Sequence, residues 1–243
     1  MGTDCNLYGQ RGDARQYSPP NSWAPEFAAI RDQGTPDYFG NVVPVIVLPD
    51  PPADAAAIQR EIEYLLRLKQ TERDRLMPNI REEMEGYFVV LERVLGTSSV
   101  APADKPETFD LMDVIRSTAR FWIMRSKARY NRPRPVQLER TLDPPFCPGH
   151  PAYPSGHSGE SYSVALALMD ATADYPELHG PLVAAAISIA WHREVAGVHY
   201  PSDSEASRRL ARQLHAPLRA DSGYQQRITR VRAELRALMG PPR

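Results

Sequence analysis

At 243 residues the chain is long enough for one large domain or two small ones, and a single helical core is comfortable at that size. The 29 Lys and Arg residues nearly balance the 30 Asp and Glu residues, and the net charge of −1 excludes a global field that would draw in nucleic acid or an acidic membrane surface. The longest apolar run, residues 181–191, falls far short of the roughly 20 residues needed to cross a bilayer, so no membrane span is expected.

The first 30 residues are polar, with no apolar run after a basic start, so no signal peptide is read there. The chain as it stands points to the cytoplasm, or to the periplasm or medium if a signal has been removed. Residues 1–52 carry eight prolines, each of which fixes φ and removes a backbone donor. This segment is predicted to be an extended arm lying over a single helical catalytic domain, residues 53–243. Within the arm, residues 41–48 (NVVPVIVL) could form a short strand, which Pro44 demotes to an edge or to coil.

Asp54 is placed to cap a helix running to about residue 70, with Ile58, Ile62, Leu65, Leu66 and Leu68 apolar. A second helical stretch follows over residues 71–95, expected to kink or split at Pro78 and to end at Gly96. Residues 97–106 read as a loop. The next helix, residues 107–126, aligns Leu111, Val114, Ile115, Thr118, Trp122 and Ile123 on one stripe. From 131 to 154 seven prolines make a stiff loop, the kind of segment where function concentrates when a rigid scaffold holds it. Helices then follow from about His157 to 173 and over 181–195. Both are apolar nearly all round, as central helices of a bundle are. Two more polar helices, near 203–216 and 221–239, should lie outside them. Of the two cysteines, Cys5 and Cys147, nothing in the sequence brings one to the other. Free thiols are the default reading, and a bridge from the arm to the loop before Pro154 is the alternative.

Three stretches carry groups suited to a tetrahedral oxyanion. Residues 127–135 read KARYNRPRP, with Lys127 and Arg134 seven apart. Residues 154–157 read PSGH. Residues 192–203 read HREVAGVHYPSD and contain Arg193, His199 and Asp203. A phosphoryl group needs cations and N–H donors around its oxygens, an in-line nucleophile, and an acid for the leaving oxygen. Lys127, Arg134 and Arg193 supply charge, and the arginine fork matches phosphate geometry. Ser155 and Gly156 open a predicted helix, whose free N–H groups and dipole favour an anion. His199 has Asp203 four residues on, close enough to fix its tautomer and leave the other ring nitrogen as a nucleophile. His157, beside the donors, is placed to act as general acid.

The joint pattern, Lys127-x6-Arg134-Pro135, then Pro154-Ser155-Gly156-His157, then Arg193-x5-His199-x3-Asp203, resembles the signature of the phosphatidic acid phosphatase type 2 superfamily. That superfamily includes soluble bacterial class A acid phosphatases, membrane lipid phosphatases and the vanadium haloperoxidases. The resemblance covers residues 127–203. It implies an all-α fold with a central bundle, to which the proline-rich N-terminal arm is added, and a phosphatase acting on a phosphate monoester or diphosphate without a metal or other cofactor. The implied intermediate is a phosphohistidine at His199. His157 would protonate the leaving group, and Lys127, Arg134, Ser155, Gly156 and Arg193 would hold the phosphate. The implied partner is a small phosphate ester, and relatives suggest a homodimer.

Two histidines depart from or add to this pattern. His192 stands where the family usually has Ser, and reads as a core histidine or an added contact. His150 matches a histidine of the vanadium bromoperoxidases, so a haloperoxidase using vanadate and peroxide is the alternative. Chain length favours the phosphatase, because the haloperoxidases of the superfamily are considerably longer.

Overall fold

Helices dominate because the apolar stripes recur at helical spacing along most of the chain after residue 54. The computed structural model describes residues 23–34 and 44–241, and no strand occurs among them. In chain order the helices are α1 (Pro25–Asp32), α2 (Ala55–Thr71), α3 (Arg73–Gly86), α4 (Phe88–Val94), α5 (Pro106–Tyr130), α6 (Pro135–Leu138), α7 (Gly156–Ala171), α8 (His179–Val195), α9 (Pro201–Leu218) and α10 (Ser222–Met239). The protein is all-α.

Helix α7 is the central element. Small and apolar residues around its circumference let it pack against α5, α8 and α9 together, and α10 closes over α5 and α7. The α5–α7 approach depends on Gly159. A Cβ there would lie 2.7 Å from Ile123 Cδ1, closer than atoms pack. Leu168, Val164 and Ala165 of α7 are completely buried in the main core with Ile115, Ile123 and Leu210.

Asp54 caps α2 as predicted, its Oδ1 accepting from Ala57 N at 2.8 Å. The break expected at Pro78 falls instead at Tyr87, between α3 and α4, and Pro78 lies inside α3. Pro78 and Asp74 are both exposed, so the carbonyl that loses its donor faces water. Gly96, at φ +69°, ends the stretch after α4. Helix α5 runs one turn beyond the predicted end, to Tyr130, and is stopped by Asn131 in the left-handed conformation, so Lys127 lies on its last turn.

Of the residues read as a strand, 41–43 lie outside the described residues, and 44–48 pair with no strand. Their backbone is tied by side chains instead. Val47 exchanges two 2.8 Å bonds with the Gln213 amide, Tyr130 Oη donates to Leu48 O and Tyr153 Oη to Pro49 O. Helix α1, in the same N-terminal segment, reaches the proline-rich loop through Ala24 N, which donates to Gly149 O at 2.8 Å. Cys147 is disulfide-bonded, which overturns the free-thiol default. The sequence has one other cysteine, Cys5, which lies outside the described residues.

Candidate active site

Helix α7 begins at Gly156, with Ser155 as its N-cap residue, so its first N–H groups open toward the turn between α8 and α9. That turn is shaped by Gly197, at φ +75°, where a Cβ would meet the Arg73 guanidinium at 2.8 Å. Arg73 fixes the same corner, donating from Nε to Val195 O at 2.8 Å and from Nη1 to Leu142 O at 2.6 Å. The chain then turns so that His199 points inward before Pro201 starts α9.

The geometry around His199 decides its tautomer. Its Nδ1 lies 3.0 Å from Asp203 Oδ2, and its Nε2 lies 2.9 Å from Arg134 Nη1. A guanidinium only donates, so Nε2 carries the lone pair and the proton sits on Nδ1, facing the carboxylate. Burial first, then the nearby Arg134 and Lys127, hold the His199 pKa well below the ordinary imidazole value. Asp203 is completely buried and fully engaged: Oδ2 also accepts from Tyr200 N at 3.0 Å, and Oδ1 from Arg132 Nη1 at 2.7 Å.

Arg134 is the hub of the motif. Besides His199 it contacts Val198 O at 2.7 Å, His150 O at 2.9 Å and His150 Nδ1 at 2.9 Å. His150 is thus brought into the site, where its ring also packs edge-on against Phe27 at 4.4 Å. Burial, Lys127 and Arg134 keep its pKa well below the usual imidazole range. Arg193 is anchored from one side only. Its Nη2 donates to Glu83 Oε2 at 2.5 Å and to Ile80 O at 3.1 Å, while its buried Nε and Nη1 have no hydrogen-bond partner. The Ser155 hydroxyl is likewise buried and unpartnered. Such groups are costly unless an anion completes them.

Gly156, His157, Arg134, Arg193, His150 and His199 line one cleft of about 220 Å³. Lys127 is set back from it, its ammonium donating to Pro151 O at 2.8 Å and Ala152 O at 2.9 Å, and burial lowers its pKa well below the normal lysine value. Of the eight motif residues, His157 alone is partly exposed, on the mouth side of the cleft. Burial and the Arg193 guanidinium push its pKa down to about 3. His192 stays out of the cleft, its Nδ1 lying 2.5 Å from Glu83 Oε1.

Four contributors escape sequence reasoning. Glu83 of α3 bridges His192 and Arg193. Glu61 of α2 accepts from Arg132 Nη2 at 2.7 Å and from Ser202 N at 2.9 Å, so it braces both the arginine behind Asp203 and the start of α9. Arg132, one of the basic residues crowding the first motif, is stacked 3.7 Å over the Tyr200 ring. Glu160 projects into the cleft, held by Arg120 at 2.9 and 3.1 Å and by Tyr87 Oη at 3.2 Å. Only Glu160 carries a usable signal, as an acid in an otherwise small and apolar helix. Replacing Glu83→Gln should destabilise the protein by about 1–3 kcal/mol, because a buried guanidinium loses its charged acceptor. Urea unfolding measures the loss, and phosphate affinity should fall with it as Arg193 is released.

Residues 114–218, which contain all three motifs, match the PAP2 superfamily. The chain is similar to the non-specific acid phosphatases of Salmonella typhimurium and Salmonella typhi, each 28% identical over 158 residues, 63% of this chain. The match spans 62% of the length of those relatives. The fold is also that of a solved bacterial vanadium-dependent iodoperoxidase, with a TM-score of 0.53 at 17% identity over 72% of this chain and 52% of that one. No helix among the described residues is long and apolar enough to cross a membrane.

Proposed function

We propose that this protein is a member of the PAP2 superfamily and a metal-independent phosphatase that hydrolyses a phosphate monoester through a phosphohistidine at His199. The observation that carries the reading is the His199 arrangement: Nδ1 is held by Asp203 and the Nε2 lone pair meets Arg134 Nη1, a cleft-lining guanidinium that an entering phosphate would draw away to free the nitrogen. Phosphate entering the cleft would take the Arg134 guanidinium, the unpartnered Arg193 nitrogens, the Ser155 hydroxyl and the N–H groups at the start of α7. His199 Nε2 then forms a bond to phosphorus as the bond to the leaving oxygen breaks, and His157 gives its proton to that oxygen. In the second half, water attacks phosphorus, the P–N bond breaks and His157 takes the proton back.

The shifted pKa values bear on this chemistry with definite signs. A lowered His199 pKa keeps the nucleophile neutral well below pH 6.5, so activity should survive in acid where an ordinary histidine would be protonated. His157, at about 3, is neutral in the free protein and needs a counter-charge to carry its proton. The incoming phosphate dianion supplies that charge, so the acid is armed by the substrate itself.

Turnover of a phosphomonoester panel by EDTA-treated protein at pH 5 tests the reading. Phosphate release at the rate of the untreated sample is expected. Loss of activity with EDTA, restored by a divalent ion, would count against it. A second reading, halide oxidation, is favoured by one observation, the presence of His150 in the cleft. The unpartnered Arg193 nitrogens and Ser155 hydroxyl fit vanadate as well as phosphate, with His199 and Arg134 beside them, and vanadate would there supply the peroxide chemistry. Bromide oxidation by the same sample, with vanadate and peroxide added, tests that reading.

A further inference from the structure

The lining of the cleft combines two chemistries. One is cationic, from Arg134 and Arg193. The rest of the lining is largely apolar, with Phe27, Met84, Met124, Phe146 and Pro148. Met84 is 46% exposed and so marks the mouth. Glu160 and Arg120, the polar side chains among these walls, are bonded to each other, and Tyr87 Oη also donates to Glu160. Both Glu160 oxygens already accept hydrogen bonds, three in all, so this carboxylate is largely committed to Arg120 and Tyr87 and offers little to a sugar hydroxyl. Burying hydroxyls against such walls without partners costs free energy, whereas burying a ring or alkyl group gains it. At about 220 Å³ the cleft is also smaller than the roughly 300–1,000 Å³ of sites for drug-sized ligands.

The direction of reaction places the leaving group against these walls. His199 attacks from the buried end, so the leaving oxygen lies opposite it, toward partly exposed His157 and the mouth. We propose that the substrate is a phosphomonoester with a small apolar leaving group, aryl or short alkyl, selected by Phe27, Met84, Met124 and Phe146. The inference rests on the phosphatase reading and narrows it.

The test compares kcat/KM of the full chain for benzyl phosphate and glucose 6-phosphate. Both release a primary alcohol, so leaving-group acidity does not dominate the comparison. Benzyl phosphate is expected to be favoured at least about tenfold, the scale of a few apolar contacts in a pocket. Met84→Gln and, independently, Phe27→Ala should each narrow that ratio at least about threefold. Met84 is exposed at its edge and Phe27 lies on a short outer helix, so a folded product is expected from at least one of them. Equal kcat/KM for the two esters, a preference for the sugar phosphate, or a ratio unmoved in both folded variants would overturn the selection while leaving the phosphatase standing. Turnover of neither ester would overturn both.

Discussion

His199→Ala is expected to lower phosphate release from a monoester by at least about 10³-fold, since removing a covalent nucleophile takes away the step on which the others depend. Binding should survive. Arg193, Ser155 and the α7 N-terminus do not rely on the imidazole for their positions, and Arg134 keeps its bonds to Val198 O and His150. Inorganic phosphate should therefore bind the variant within a few fold of the parent. Rapid quenching of the parent with labelled substrate in alkali, where a phosphoramidate persists, should leave label on the protein, and the variant should carry none. Turnover retained by a folded variant would show that another group attacks phosphorus.

The second large effect is expected at Asp203. An asparagine there meets conflicting demands. Arg132 Nη1 and Tyr200 N both donate to the native carboxylate, one to each oxygen, and His199 Nδ1 shares Oδ2 with Tyr200. An amide has one oxygen, so with Arg132 satisfied its NH2 faces the imidazole. That inverts the tautomer, puts the proton on Nε2 and removes the lone pair from the cleft. We expect kcat to fall about 10³–10⁴-fold, the scale seen when the orienting carboxylate of a catalytic triad becomes an amide. Folding should also weaken, because a buried donor is left facing a donor. The ¹⁵N shifts of the His199 ring separate the two consequences. A purely structural role would lower the folded fraction but leave Nδ1 protonated in the molecules that remain folded.

Much of this site is legible in the order of residues along the chain. The spacing of Arg193, His199 and Asp203 carries a nucleophile with its orienting acid, because His199 and Asp203 flank a helix start and must come close. The same local logic sets Ser155 and Gly156 at a helix N-terminus. The pieces that stay hidden are those contributed by distant elements. Glu83 sits on a polar helix and looks like one more solvated acid, yet packing of α3 on α8 buries it between His192 and Arg193. The same packing accounts for His192, which is a buried partner of Glu83 and no part of the cleft wall. Pro78 signals a break because its ring forbids a helical donor, but exposure of that turn makes the loss cheap.

Helix periodicity, capping residues and the order of the three motifs are short-range properties, set by rotamer and backbone preferences within a few residues, and the sequence alone sufficed for them. Which charges face each other across the bundle is a long-range outcome of how α3, α5, α7 and α8 pack. It could be known only from the folded chain. The combination of cationic and apolar groups in the cleft lining belongs to that second class, because its residues come from segments as far apart as Phe27 and His199.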